Sequence, residues 1–362
     1  MKPLSLPSAD RHLPAGWPGA FGFGLVGLLL GAVALPLGPA AGCRFRSGEE
    51  VVVYAALDRE FSEPQLEEFQ RQTGVRVLPK YDVESTKTVG LVNALIQERA
   101  RPRCDLFWNN EILHTLRLEQ QGLLTPYRTD RAAGFPADYR SPQGMWYGFA
   151  ARVRVLIVNL EAVSEADRPR GVRDLADPKW KGRVGIAKPL FGTTATHAAV
   201  LWSHWGEAET RKFFLALKEN ARVLSGNKQV ALAVGRGDLA LGWTDTDDAI
   251  IERDGGRPVE IVYPDQEEGG LGALFIPNTL ALIKGGPNAR RAQQLVDFLL
   301  APETEAKLAA GRSAQFPLNP AVTVPSRAGA PQPLRRMPVD FAAAAAAWDG
   351  AAAFLRDTFT AP

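Results

Sequence analysis

Apolar and polar positions follow two rhythms along the first part of the chain. Short apolar runs predict β-strands at 51–57, 75–80 and 106–108, and apolar residues at helical spacing predict helices at 62–74, 89–99 and 112–121. Ser62 is expected to be the N-cap of the first helix, with Pro64 in its first turn and Gly74 at its end. Strands that alternate with helices in this way predict a parallel sheet covered on both faces.

A long apolar run at 149–159 interrupts this alternation and predicts one strand that crosses between two lobes. The second block has predicted strands at 184–187, 223–224 and 239–243 and predicted helices at 194–205, 207–219 and from residue 229 onwards. Strands at 274–276 and 279–283, followed by helices at 288–300 and 303–310, are expected to return to the first lobe. The pattern therefore predicts an α/β protein with two lobes, hinge strands and a central cleft lined by loops at the carboxyl ends of strands.

The residues before the first strand are typical of an export signal. Lys2, Arg11 and His12 precede an apolar run at 21–37, which is marginal for a membrane span of about 20 residues. The run ends in Ala40-Ala41-Gly42-Cys43, which resembles a lipoprotein cleavage box, although Ala40 occupies the position where Leu is usual. We expect Cys43 to carry a lipid that attaches the protein to the membrane in the periplasm or cell envelope. An ordinary signal peptide and a permanent anchor helix are the alternatives.

These patterns give a domain division with six segments. We expect a signal peptide at 1–42, a tether with the lipidated Cys at 43–50, the first lobe at 51–150, the second lobe at 151–273, the return to the first lobe at 274–322, and an Ala- and Pro-rich tail with a possible terminal helix at 323–362.

Composition excludes several classes of function. The net charge is only +2, and aromatic residues are not interleaved with basic runs, so nucleic acid is not an expected partner. The chain has no P-loop, no Gly-x-Ser-x-Gly elbow and no His-Glu-x-x-His motif, and we therefore predict a binding protein and not an enzyme. Cys104 lies in an apolar run and is expected to be a small core residue.

The most unusual local feature is the acidic run that includes Asp245, Asp247 and Asp248, directly after a predicted strand. Three carboxylates so close together repel one another unless something neutralises them. They predict a site for a cation, either a metal ion or an ammonium group of the ligand. Capping of the following helix is the alternative explanation.

Three other strand ends carry polar residues. Gly192, Thr193 and Thr194 stand where a helix is expected to begin and predict an anion cradle, or simply a helix cap. Asn109, Asn110 and Glu111 follow the third strand, and Asp58 follows the first; amide and carboxylate groups there can bind a polar ligand. The alternatives are a helix cap at Asn110 and an ordinary turn at Asp58.

Several stretches together resemble a known family. They are Val53-Tyr54, Cys104-Asp105-Leu106-Phe107-Trp108, the run Asp177-Pro178-Lys179-Trp180-Lys181-Gly182-Arg183-Val184-Gly185, Gly235 to Asp238, and Pro317-Leu318-Asn319-Pro320. Over residues 51–322 the chain resembles bacterial extracellular solute-binding proteins of ABC importers, in particular the ferric-ion-binding branch. The resemblance implies a type II-like periplasmic-binding-protein fold that closes on its ligand and delivers it to a permease and its ATPase.

The resemblance also implies roles for individual residues. Asp247 and Asp248 stand in the place of the adjacent Tyr pair that holds iron in the ferric-binding branch, and Asp58 stands near the place of a His. The acidic iron ligand of that branch falls on Asn110 or Glu111. The anion-binding loop resembles Gly192 to Thr194, and an Asn there resembles Asn227.

Because the Tyr pair is missing, we predict a small polar or anionic organic ligand of the phosphonate or phosphate-ester type. In that case Thr193, Thr194 and Asn227 hold the anion, and Asp245, Asp247 and Asp248 hold an amine or polyol. The alternative is iron or another hard metal bound by Asp247, Asp248 and Glu111 together with an anion. No resident cofactor is expected apart from such an ion, and a monomer is expected.

Overall fold

The structure is a computed structural model that describes residues 49–82 and 88–360. The predicted signal peptide and the predicted lipidation site Cys43 lie outside the described residues. The strands are β1 (Glu50–Ala55), β2 (Arg76–Tyr81), β3 (Leu106–Asn109), β4 (Leu124–Thr125), β5 (Tyr147–Asn159), β6 (Val184–Ala187), β7 (Ala221–Leu224), β8 (Leu241–Asp245), β9 (Val259–Val262) and β10 (Phe275–Ile283). The helices are α1 (Arg59–Thr73), α2 (Val89–Gln97), α3 (Leu113–Gln120), α4 (Gly192–Trp205), α5 (Glu207–Asn220), α6 (Asn227–Gly235), α7 (Thr246–Asp254), α8 (Ala289–Leu299), α9 (Pro302–Ala310) and α10 (Phe341–Thr360).

Strand β5 joins the two lobes. The sheet order is β2-β1-β3-β10-β5-β8-β6-β7, with β4 paired to β10 and β9 paired to β5. The first half of β5 pairs antiparallel with β10, where Val153 lies opposite Phe275, and the second half pairs antiparallel with β8, where Arg154 lies opposite Asp245. We call the β1–β4 and β10 side the first lobe and the β6–β9 side the second lobe. The predicted two-lobed α/β fold is confirmed, and the predicted residue boundaries of its segments stay predictions.

Burial explains why the strand patterns were visible in the sequence. Every residue of β5 and of β10 is buried, so these strands are mostly apolar along their length. In β1, Val51 and Val53 pack into one core cluster while Tyr54 packs into another, because successive side chains of a strand point to opposite faces.

Several predicted boundaries were wrong, and each has a local cause. Ser62 is not the N-cap of α1, which begins at Arg59; the Ser62 hydroxyl instead donates to the carbonyl oxygen of Asp58 at 3.0 Å. The two strands predicted at 274–276 and 279–283 are the single strand β10, whose register shifts between Ile276 and Asn278. Pro277 lies at that shift and has no N–H to donate to a ladder.

Two further corrections concern the cleft. The strand predicted at 239–243 is β8 at Leu241–Asp245, so Asp245 is the last residue of the strand and does not follow it. Helices α4 and α6 begin at Gly192 and Asn227, two residues earlier than predicted in each case. The short strands β4 and β9 were not predicted.

The tail ends in a long helix that packs on both lobes. Trp348 of α10 contacts the ring of His114 on α3, with ring centroids 6.0 Å apart. Further along α10, Phe354 contacts Trp202 of α4 at 5.8 Å. The possible terminal helix is therefore present and is part of the core. Among the described residues, no helix has the length and apolar character needed to cross a membrane.

Close packing of α6 on β8 gives a prediction for stability. A Cβ atom at Gly242 of β8 would overlap the side chain of Val230 on α6. We expect Gly242→Ala to lower the free energy of unfolding by about 1–3 kcal/mol because the core there has no space for it. Urea unfolding measures the change. Gly134→Ala is the control, since its added Cβ would lie 3.6 Å from Pro320, an ordinary contact. Equal effects of the two substitutions would contradict the prediction.

Candidate functional site

Polar residues from both lobes line one pocket at the carboxyl ends of the parallel strands. Its lining residues are Asn110, Arg152, Ala187, Phe191, Gly192, Thr193, Ser225, Gly226, Asn227, Asp245, Asp247 and Asp248. Asn110 follows β3 in the first lobe, and most of the others follow β6, β7 and β8 in the second. The free space inside is about 20 Å³, whereas a single water needs about 10–15 Å³. In this closed arrangement the pocket has room for one water or one ion.

The three aspartates of the acidic run meet in this pocket. One carboxylate oxygen from each of Asp245, Asp247 and Asp248 lies within 4.8 Å of the others. Asp245 is the last residue of β8, and Asp247 and Asp248 are in the first turn of α7. The positive end of the α7 dipole reduces the cost of placing these acids together.

Two buried arginines of β5 neutralise most of the negative charge of these three carboxylates. Arg154 is completely buried, and its Nη1 donates to Oδ1 of Asp245 at 2.7 Å. Arg152 is also buried and forms an ion pair with Oδ2 of Asp247 at 3.3 Å. Burial lowers the pKa of Arg152, but the nearby carboxylates outweigh burial and raise its pKa above the ordinary value, so it is always charged.

The side chains of the predicted anion cradle contact Asp245. Oδ2 of Asp245 accepts a hydrogen bond from the Thr193 hydroxyl at 2.5 Å and one from the Asn227 amide at 2.9 Å. The Thr194 hydroxyl donates to the Asn227 side-chain oxygen at 3.1 Å. The structure therefore brings Thr193, Thr194 and Asn227 together, but Thr193 and Asn227 donate to a carboxylate of the protein itself.

Asn109 and Glu111 lie behind the pocket and do not line it, contrary to the expectation for them. Glu111 is completely buried, and its carboxylate accepts the backbone N–H groups of Leu113 and His114 at the start of α3. It also accepts the hydroxyl of Thr196 on α4 at 2.8 Å, which joins the two lobes. Burial raises the pKa of Glu111, but hydrogen bonds and the charge of His114 outweigh burial, so that its pKa lies below the ordinary value.

These bonds also constrain the alternative in which Glu111 binds a metal. Asn109 donates to Glu111 at 2.7 Å and adds to the donors already directed at that carboxylate. A carboxylate surrounded by so many donors would have to give up hydrogen bonds to reach a cation in the pocket. We therefore assign Glu111 to the cap of α3 and to the contact between the lobes.

Asp58 lies in an adjoining part of the cleft. It follows β1 and lines a second pocket with Glu60, Asp82 and Lys228. Lys228 at the start of α6 forms an ion pair with Glu60 of α1 at 3.1 Å, so a salt bridge spans the two lobes there. Burial lowers the pKa of Lys228, but Glu60, Asp58 and Asp248 outweigh burial and raise it.

The sequence prediction missed Arg152 and Arg154. Both interrupt the apolar run that became β5, and a charge inside a buried strand must be paired. That rule could have identified them as site residues. Their partners Asp247 and Asp245 lie more than 90 residues later in the chain, so spacing alone could not join them.

Comparison with known proteins supports the family resemblance. Residues 111–344, more than half of the chain, match the family described as bacterial extracellular solute-binding protein. The major ferric iron-binding protein of Neisseria meningitidis serogroup A is 27% identical over 280 residues, which cover 75% of this chain and 82% of that protein. The putative 2-aminoethylphosphonate-binding periplasmic protein of Salmonella typhimurium is 24% identical and covers 69% of this chain and 72% of that protein.

Solved structures show the same fold at lower identity. Iron-bound HitA from Pseudomonas aeruginosa superposes with a TM-score of 0.75 at 23% identity, over 85% of this chain and 99% of that one. AfuA from Actinobacillus pleuropneumoniae with fructose-6-phosphate bound gives a TM-score of 0.76 at 21% identity, over 86% of this chain and 99% of that one. The chain therefore belongs to the family of bacterial extracellular solute-binding proteins of ABC importers, a family of binding proteins and not of enzymes.

Proposed function

We propose that this protein captures a hard metal cation, ferric iron in the first place, for an ABC importer. The observation that carries the proposal is the set of carboxylate oxygens from Asp245, Asp247 and Asp248, within 4.8 Å of one another in a pocket with room for a single ion. Hard cations prefer oxygen ligands, and carboxylates supply both the oxygen and the negative charge. The resemblance to the Neisseria ferric iron-binding protein supports this choice of cargo.

The charge balance of the pocket agrees with a cationic cargo. Arg154 and Asp245 form a neutral pair, whereas Arg152 faces both Asp247 and Asp248. Among the described residues, the carboxylates of Asp58, Asp245, Asp247 and Asp248 outnumber Arg152 and Arg154 in the cleft, and Lys228 near Asp58 and Asp248 offsets part of this excess. A cation that contacts Asp247 and Asp248 would remove this excess.

The site differs in one respect from the ferric-binding branch it resembles. Among the described residues, no tyrosine lines the pocket. Asp247 and Asp248 would have to supply the anionic oxygen that the Tyr pair supplies in that branch. Under this proposal, Asp247 and Asp248 bind the ion and Asn110 contacts it from the first lobe.

A second candidate cargo is a small amine-bearing phosphonate or phosphate ester. One observation favours it: Nε of Arg152, which lines the pocket, has no hydrogen-bond partner among the described residues, whereas Nη2 pairs with Asp247. Guanidinium groups bind phosphonate and phosphate oxygens well. The ammonium would then contact Asp248. The similarity to the Salmonella protein and to AfuA supports this candidate, but the small pocket would have to open further.

The proposed mechanism is hinge closure about β5. Cargo binds to the second lobe, and the first lobe closes over it with Asn110 and Asp58. The ion pair between Lys228 and Glu60 forms when the lobes meet. Closed protein dominates only if cargo binds the closed state much more tightly than the open one.

We also propose that Cys43 carries a lipid and that the protein acts as a monomer in the cell envelope. Its partners would be a permease and an ATPase. Mass measurement of the membrane-extracted protein, compared with a Cys43→Ser variant, tests the lipid.

The identity of the cargo is tested on the purified mature protein. We expect native mass spectrometry with metal analysis to show one metal ion per chain, and calorimetric titration with ferric nitrilotriacetate to show stoichiometric binding. The same protein is titrated with 2-aminoethylphosphonate and with fructose-6-phosphate. Tight binding of either organic ligand without metal would overturn the metal proposal in favour of the second candidate.

A further inference from the structure

The carboxylate of Asp245 is surrounded by donors from three separate elements. Thr193 at the start of α4 and Asn227 at the start of α6 donate to Oδ2, at 2.5 and 2.9 Å, and Arg154 of β5 donates to Oδ1 at 2.7 Å. A guanidinium, a hydroxyl and an amide near two helix N-termini form a set that would suit any small oxyanion. Here the oxyanion belongs to the protein.

The carboxylate of Asp245 is the counter-ion of the buried Arg154. The side chain of Arg154 is completely buried and that of Asp245 is 3% exposed. A buried guanidinium without a counter-ion costs several kcal/mol, so an anion is required at this place. Because Asp245 supplies it, the donors Thr193 and Asn227 are already satisfied.

The position of Asp245 connects this cradle to the cargo. One of its oxygens lies within 4.8 Å of oxygens from Asp247 and Asp248. A free anion bound in the cradle in place of the Asp245 carboxylate would lie next to a cation bound by Asp247 and Asp248. We propose that Asp245 is a resident anion that occupies the cradle, so that cargo capture by this protein needs no added anion. The part that concerns cargo rests on the proposed function, whereas the occupancy of the cradle does not.

Chemical rescue separates this role from a structural ion pair. Asp245→Ala removes the carboxylate and leaves space beside Arg154, Thr193 and Asn227. We expect the variant to have a lowered melting temperature that rises as formate is added, because formate binds the folded state in the vacated cradle. Formamide, which has the same shape without charge, should not restore it, and formate should leave the wild-type melting temperature unchanged. If formate shifts the variant no more than the wild type, the proposal is wrong.

A measurement on the unmodified protein keeps the proposal testable even if the variant does not fold. We expect inorganic phosphate, sulfate and bicarbonate to show no saturable binding to the wild-type protein by calorimetry or by ³¹P NMR. Saturable binding that is lost in Thr193→Val would show that the cradle takes an external anion and would overturn the proposal.

The cargo part has its own readout. We expect the Kd of the wild-type protein for ferric ion, supplied at a fixed nitrilotriacetate concentration, to be unchanged by phosphate or bicarbonate. Asp245→Ala should bind ferric ion at least about tenfold more weakly, a coupling of ordinary size between neighbouring sites, and formate should restore the affinity. A wild-type protein that requires phosphate or bicarbonate would contradict the inference. If no form of the protein binds ferric ion, the proposed function fails, while formate rescue still decides the role of Asp245.

Discussion

Replacing Asp247 and Asp248 together by Asn is expected to reduce affinity for ferric ion by at least about 100-fold, since each charge-assisted contact contributes about 1.5–3 kcal/mol. Asn keeps the shape of Asp but loses the negative charge, so the substitution tests charge and not packing. The Asp248 substitution should cost only about 0.3–1 kcal/mol through the helix dipole. The Asp247 substitution also removes the ion-pair partner of the buried Arg152, so we expect the double variant to be less stable than the wild type by about 3–5 kcal/mol. Calorimetry of the variant measures the loss of affinity, and circular dichroism verifies the fold.

The matched control is Glu207→Gln with Glu209→Gln. These residues also lie in the first turn of a helix, α5, and their exchange changes the net charge by the same amount. They are exposed and lie outside the pocket. We expect this control to bind cargo like the wild type. An unchanged Kd in the Asp247 and Asp248 variant would remove these residues from the site.

Local patterns in the sequence were sufficient for most of the fold. The strand at 184–187 was predicted with the bounds that β6 has, because this short run without charged residues lies between Arg183 and Lys188. The long strand at 149–159 was predicted because β5 is buried along its whole length. In both cases the signal is carried by neighbours in the chain.

The predictions were less accurate where contacts distant in sequence set the structure. Asp245 was expected directly after the strand, yet pairing with Arg154 across 91 residues keeps it in β8. The sequence indicated that the carboxylates of the acidic run repel one another, and a bound cation was expected to neutralise them. The structure shows that Arg152 and Arg154 of β5 neutralise part of this charge. The residues of the run alone could not reveal these distant partners.

The candidate site shows the same division. The sequence predicted that the loops after these strands lie close together, because polar residues at the ends of parallel strands meet at one edge of a sheet. It did not predict which side chains face the pocket. Asn110 lines the pocket while its neighbours Asn109 and Glu111 point into the network behind it, and adjacent residues in a turn cannot be separated in this way without coordinates.

Trp348→Ala is expected to destabilise the protein by about 3–5 kcal/mol, the usual cost of removing a large buried aromatic side chain. Trp348 is 5% exposed. It packs against His114 of the first lobe, on the helix whose other end packs against the second lobe. Its loss should therefore weaken the attachment of α10 to the first lobe in particular. Urea unfolding followed by circular dichroism measures the cost.

The neighbouring residue provides the control for this last prediction. Asp349 forms an ion pair with Arg117 of α3 at 3.2 Å, but its side chain is 89% exposed. Exposed ion pairs contribute about 0–1 kcal/mol, so Asp349→Ala should change stability little although it removes a contact between the same two helices. If both substitutions cost the same, buried aromatic area is not what attaches the terminal helix. If Trp348→Ala costs less than about 1 kcal/mol, the helix contributes less to the core than its burial indicates.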